Sequence, residues 1–153
     1  MATKTKPATK SAQVKTDLAE AVKKVDYIST VGRRKTSVAR VRLFSGIGDN
    51  LINGLSVAQY FPGATKERTF LSPFQTIDAI GKFHVTVLVE GGGHQSQVQA
   101  VAHGISRALV KFDENSKSPL RNKGLLTRDP RMRERRKAGY AQSARARKQS
   151  PKR

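Results

Sequence analysis

Cysteine is absent from this 153-residue chain, which excludes disulfides and cysteine-based metal sites. Acids are scarce: eleven Asp and Glu stand against thirty Lys and Arg, a formal net charge of +19. Those of the central region are Asp26, Asp49, Glu67, Asp78, Glu90, Asp113 and Glu114, and none forms a recognisable acid/base pair. Histidine occurs only as His84, His94 and His103, with no pair at i, i+4 that would place two metal ligands on one helical face. No nucleophile-elbow motif anchors a Ser–His–Asp arrangement. The expectation is a protein without catalytic residues, metal or cofactor. Apolar runs are short as well, none approaching 18 residues, and the first residues have no hydrophobic signal core. Residues 1–32 lack Arg and include Asp17, Glu20 and Asp26, unlike an organelle presequence. A cytoplasmic protein without a membrane partner is expected.

What the chain has in excess is positive charge, unevenly placed. Residues 127–153 hold eleven Lys or Arg against two acids, a net +9, while their only large apolar side chains are Met132 and Tyr140. Ordering a chain costs roughly 1–2 kcal/mol per residue, which so little apolar surface does not offset. The segment therefore needs a polyanion to fix its shape, and a phosphate backbone is the partner its charge suits. Arg outnumbers Lys eight to three there, favouring forked phosphate recognition over plain charge. No Leu, Phe or Trp face is present for a membrane surface. Twenty-seven extended residues span on the order of 90 Å, against a radius of gyration of about 13 Å for a 100-residue domain. Such reach suits a large ribonucleoprotein better than a simple duplex.

Residues 1–16 are rich in Lys, Thr, Ala, Ser and Pro, and Leu18, Ala21, Val22 and Val25 follow at helical spacing. Strands are expected at Tyr27–Val31 and Thr36–Phe44, the second with Ala39, Val41 and Leu43 on one face and Arg40 and Arg42 on the other. Gly32-Arg33-Arg34-Lys35 between them reads as a tight turn with a basic tip. A short strand at Leu51–Ile52 turns at Asn53-Gly54, and Ser56 caps a brief helix through Phe61. Ser72-Pro73-Phe74-Gln75 reads as a helix start, with Phe74, Ile77 and Ile80 inward and Gly81 at its close. His84–Glu90 is the clearest strand and Ser96–Phe112 the clearest helix, its stripe Val98, Val101, Ala102, Ile105 and Leu109. Ser118-Pro119 caps a shorter helix ended by Gly124. Asp129-Pro130 can start another, stopped by Gly139, but Arg131 and Arg135 repel at i, i+4 and argue against it without a partner. The order β-β-β-α-α-β-α-α describes an α/β two-layer sandwich, helices packed on a mixed sheet.

Gly91-Gly92-Gly93, between strand and helix, either seats a phosphate or permits close packing; without Gly-Lys-Ser/Thr it is no P-loop. The basic candidates for a nucleic-acid surface form three clusters. They are Arg33, Arg34, Lys35, Arg40 and Arg42; then Arg128, Arg131, Arg133, Arg135, Arg136 and Lys137; then Arg145, Arg147, Lys148, Lys152 and Arg153. A free packaging protein and a small phosphoryl-transfer enzyme are the rival readings. The ordered motifs below argue against the first, and the missing P-loop Lys and catalytic acids against the second.

Gly32-Arg33-Arg34-Lys35-Thr36, Val38-Ala39-Arg40-Val41, Ile52-Asn53-Gly54 and Tyr60-Phe61 occur in an order that resembles the bacterial-type ninth protein of the small ribosomal subunit. Gly91-Gly92-Gly93, His103-Gly104-Ile105, Arg107-Ala108-Leu109 and Gly124-Leu125-Leu126-Thr127-Arg128-Asp129-Pro130-Arg131 continue the likeness, and Lys152-Arg153 closes it. The resemblance covers about residues 27–153. It implies a fold similar to the second domain of ribosomal protein S five, with a left-handed βαβ crossover. It also implies binding of small-subunit rRNA in the 3′ major domain (the head), Arg107 joining the basic clusters. Neighbouring head proteins are further implied partners, and no small-molecule substrate is. By the same match Lys152 and Arg153 approach the peptidyl-site tRNA. Residues 1–26 then read as a disordered or partly helical extension, 27–126 as a globular α/β RNA-binding domain and 127–153 as an extended basic tail. The chain departs from the family at Pro151, where Ser is usual, at Gln95, Ser96, Val98 and Gln99, where smaller residues are usual, and at Ala102, often Arg.

Overall fold

Alternating apolar and polar side chains fold Tyr27–Arg34 (β1) and Ser37–Ser45 (β2) into an antiparallel hairpin. In the computed structural model, which describes residues 27–140 and 144–145, Ala39, Val41 and Leu43 are buried while Arg40 and Arg42 face outward. The expectations for residues 1–26 and for Arg147, Lys148, Pro151, Lys152 and Arg153 lie outside the described residues. The hairpin turns at Lys35-Thr36, where Lys35 has φ of 51°. Gly32, expected at that turn, instead sits within β1 opposite Ala39. Its missing side chain serves packing: a Cβ there would lie 1.9 Å from the Ala100 carbonyl oxygen.

Leu51–Ile52 (β3) turns at Asn53-Gly54 into Leu55–Ser56 (β4), a strand that sequence reading missed and that is exposed at both positions. Asn53, at φ of 50°, carries the ladder onward with its side chain. It accepts from the Val89 N–H (2.9 Å) and donates to the Val89 carbonyl (3.1 Å). Val57–Tyr60 (α1) follows, its first turn tied by the Gln59 side chain accepting from the Ser56 N–H.

The next helix, Ala64–Thr76 (α2), begins eight residues before the expected Ser72 start, so Pro73 lies inside it rather than at its first position. A proline there removes one main-chain bond. Phe70 and Phe74, one turn apart and buried, offset that loss by joining the core. Because α2 stops at Thr76, Ile80 falls off its stripe and is exposed, contrary to expectation.

Phe83–Glu90 (β5) buries Val85, Val87 and Val89 and leaves Leu88 half exposed on the other face. It lies between β2 (antiparallel) and β3 (parallel), giving a mixed sheet of order β1-β2-β5-β3-β4. His94–Phe112 (α3) starts two residues earlier than predicted and buries the whole expected stripe. A 3-10 turn at Glu114–Ser116 leads into Lys117–Asn122 (α4). Apolar side chains of α2, α3 and α4 meet those of β2, β3 and β5 in one core, on one face of the sheet. No described helix is long and apolar enough to cross a membrane.

Candidate nucleic-acid interface

An edge strand leaves outward main-chain groups without a partner, a standing invitation to misplaced strand pairing. Here α3 closes the β1 edge. The Arg33 N–H donates to His103 Nδ1, Arg107 Nη1 donates to the Val31 carbonyl, and Lys111 Nζ to that of Ser29. Four helical residues rise about 6.0 Å and two strand residues about 6.6 Å, so 103, 107 and 111 match 33, 31 and 29 in antiparallel order. Thr30 Oγ1 bonds the Gly104 carbonyl beneath this row. Burial holds His103 below its ordinary pKa, helped by Arg107 and Arg128 and opposed by a hydrogen bond to the Leu126 main chain. A neutral imidazole is what an acceptor at Nδ1 requires.

The β1 edge also assembles charge that is remote in sequence. Val31, Arg33, His103, Arg107, Leu126 and Arg128 line one open groove, so three guanidiniums from three segments share a wall. The uncovered sheet face carries a second groove, with Arg40 and Arg42 among Tyr27, Ser29, Val31, Thr86 and Leu88. Arg42 lies 5.2 Å from the centre of the Tyr27 ring. Of the four residues expected at the hairpin tip only Lys35 occupies it, beside Thr36. Both grooves are lined by fork-shaped donors and hold no acid, which suits phosphates along a strand rather than a small molecule.

Arg34 differs from its neighbours. Its side chain is only 13% exposed, and its guanidinium meets Asp129 at 3.0 Å and Gln99 Oε1 at 2.9 Å. It is engaged within the molecule rather than offered outward. Beyond it Arg133, Arg135, Arg136 and Lys137 are exposed, and Thr127–Lys137 has no regular structure, so the helix expected only with a partner is absent. Asp129 Oδ1 takes the Arg131 N–H instead, a local turn that competes with helix. Arg145 pairs with Glu134 at 2.6 Å in the open, a contact that contributes little in water.

The glycine loop is used for packing. A Cβ at Gly92 would meet Ser37 Oγ at 2.1 Å, and Ser37 bonds both the Gly91 carbonyl and Ser96 Oγ. Sequence reading missed Gln99 and Lys111. The i, i+4, i+8 spacing of His103, Arg107 and Lys111 was the available signal for the edge-closing row. Nothing local reveals the partner of Gln99, which is 65 residues away. Ser96 and Gln99, two of the positions at which the sequence was expected to depart from the resemblance, each hold a long-range bond here. Among described residues no group of three His, Cys, Asp or Glu is placed to hold a metal ion.

The family model described as ribosomal protein S9/S16 matches residues 32–153, from the middle of β1 through the tail. β2 with its outward Arg40 and Arg42, the groove arginines Arg33, Arg107 and Arg128, and the cationic tail all fall within that match. The chain thus belongs to the ribosomal protein S9/S16 family, structural proteins of the small ribosomal subunit that bind rRNA.

Proposed function

We propose that the body binds rRNA of the 3′ major domain, in the head of the small subunit, and that the tail runs on toward the peptidyl-site tRNA. The observation that carries this reading is the tail itself, which passes from the body as exposed Arg and Lys without regular structure from Arg131 to Lys137. Residues 27–126 are the RNA-binding body and 127–153 the tail in this division. Arg33, Arg107 and Arg128, sharing one groove, would take one stretch of backbone. Arg40 and Arg42 on the open face would take another, with Lys35 adding a contact from the hairpin tip. Arg131, Arg133, Arg135, Arg136, Lys137, Arg145, Arg147 and Lys148 extend the contact, and Lys152 and Arg153 meet the tRNA. Arg34 serves the same contact indirectly.

The fold reading that accompanies this function is the one similar to the second domain of ribosomal protein S five, with a left-handed crossover. A βαβ crossover, though not its hand, is supported by the parallel β3–β5 neighbours, joined through β4, α1 and α2. Cytoplasmic ribosomes and neighbouring head proteins complete the setting.

Deleting Pro151-Lys152-Arg153 tests the far end of the tail. Subunits carrying the shortened chain should assemble normally and bind peptidyl-site tRNA more weakly, as measured by filter binding at fixed magnesium. Unchanged tRNA affinity in fully assembled subunits would remove the tRNA from this proposal.

A further inference from the structure

Asp129 is an anomaly in a segment otherwise suited to polyanions, because a carboxylate beside a phosphate repels it. Its surroundings supply a reason. Arg34 reaches it from the end of β1 through Nη2 at 3.0 Å, and Arg34 Nη1 donates to two tail carbonyls, those of Asp129 (3.4 Å) and Arg131 (2.7 Å). Gln99 on α3 holds Arg34 Nε at 2.9 Å and so fixes the plane of the fork. From the tail side the Arg131 N–H donates to Asp129 Oδ1 at 2.9 Å, and its guanidinium grips both carboxylate oxygens at 2.8 to 3.1 Å. These hydrogen bonds from Arg131, with the charge of Arg34 behind them, hold the Asp129 carboxyl well below the usual carboxylate range.

The two arginines are unequal. The Arg131 side chain is 85% exposed and that of Arg34 13%, so Arg34 is the fixed jaw and Arg131 the outer one. Just upstream Leu125 and Leu126 pack against the core and the Leu125 N–H bonds the Leu120 carbonyl. The path from Leu125 to Arg131 is therefore fixed at both ends. Among the described residues the Arg34 bond to the Arg131 carbonyl is the last hydrogen bond joining body to tail. Without it the chain would pivot from Leu126, and a flexible chain loses its direction within a few residues.

We propose that Arg34, Gln99 and Asp129 form a clamp that sets the direction in which the tail leaves the body before RNA is bound. Arg34 is a positioning residue on this account, acting through the tail rather than on RNA. An isolated exposed ion pair would not do this. The clamp differs because its inner jaw is largely shielded from solvent and two of its bonds go to main-chain carbonyls, which define a path. Preorganisation of this kind raises affinity by lowering the ordering cost of binding.

The absence of cysteine makes the test clean. Spin labels on Ser118→Cys in α4 and on Met132→Cys, the exposed residue directly after the clamp, report their separation in the free, full-length protein by pulsed electron resonance. The expected result is a single narrow distance distribution, broadened at least twofold by Asp129→Asn, with Asp129→Glu in between. The melting temperature of the body should stay within a few degrees, because Asp129 sits at the surface. A broad distribution in the unaltered clamp, or an unchanged one in Asp129→Asn, overturns the proposal. Arg34→Gln should match Asp129→Asn; a narrow distribution there also overturns it. An iron chelate on Ala138→Cys supplies a second reading, in subunits reconstituted with their rRNA. Cleavage at a few clustered nucleotides should become scattered in Asp129→Asn, and clusters unchanged by Asp129→Asn would count against the clamp. This inference rests on the rRNA reading only in that second arm; if the reading fails, cleavage is lost in every variant while the distance result stands.

Discussion

Gly32→Ala is expected to lose about 3 kcal/mol of stability or more, because the new methyl group meets backbone that has nowhere to move. A Cβ at Gly32 would lie 1.9 Å from the Ala100 carbonyl oxygen, 2.5 Å from the Gly104 nitrogen and 2.9 Å from its Cα. Relief would require α3 to shift off β1. That shift would strain the Thr30–Gly104 bond and all three bonds that close the strand edge. Gly104→Ala is the milder partner experiment, since its nearest obstacle at 2.6 Å is a side-chain methyl group, Val41 Cγ2, and the Gly32 main chain stands back at 3.2 Å. For a domain of about 100 residues, 1 kcal/mol moves the melting temperature by roughly 4–8 °C. Thermal unfolding followed by circular dichroism should therefore show Gly32→Ala melting more than about 12 °C below the parent. Gly104→Ala should fall between them. A Gly32→Ala shift smaller than that of Gly104→Ala would contradict the close helix–strand contact.

The second large effect concerns salt. Replacing Arg133, Arg135, Arg136 and Lys137 together by Gln should flatten the dependence of rRNA binding on salt. Each phosphate contact contributes about 0.7–0.9 to the slope of log K against log salt, the lower figure for single strands. Four lost contacts thus reduce the slope by roughly three. The four side chains are exposed and none is hydrogen-bonded to the body, so the folded domain should be untouched. Titration of the rRNA fragment at four or more salt concentrations gives the slope. A parallel loss of affinity with the slope preserved would mean that these residues act by something other than phosphate neutralisation.

Periodicity made much of this molecule legible in advance. The two faces of β2, the buried valines of β5 and the long stripe of α3 each repeat every two or every three to four residues, and a single core selects one face. Where reading failed, tertiary packing overrode a local signature. Gly32 carries the local signature of a turn, and only Ala100 and Gly104 reveal it as a contact point. Pro73 carries the signature of a helix start, yet buried Phe70 extends α2 backwards past it. Ile80 matched the stripe on paper but lies beyond the last turn. The basic clusters were legible as charge and not as geometry. Arg33 and Arg34 are adjacent, but strand alternation sends the first to the groove shared with Arg107 and Arg128 and the second to Asp129. Composition likewise marked the tail as cationic and irregular. The role of its acid depends on a guanidinium 95 residues earlier.

The central claim is that this chain is held in the small ribosomal subunit by its rRNA, through the grooves of the body and through the tail. Sedimentation of a lysate containing the tagged, full-length chain tests it most directly, with gradients run at low and at high salt. The account predicts that at low salt the chain travels with the small-subunit particle, and that salt moves it toward the top of the gradient earlier when the four tail residues are replaced. Migration with free DNA, or at the top of the gradient at low salt with neither particle nor RNA, would contradict it.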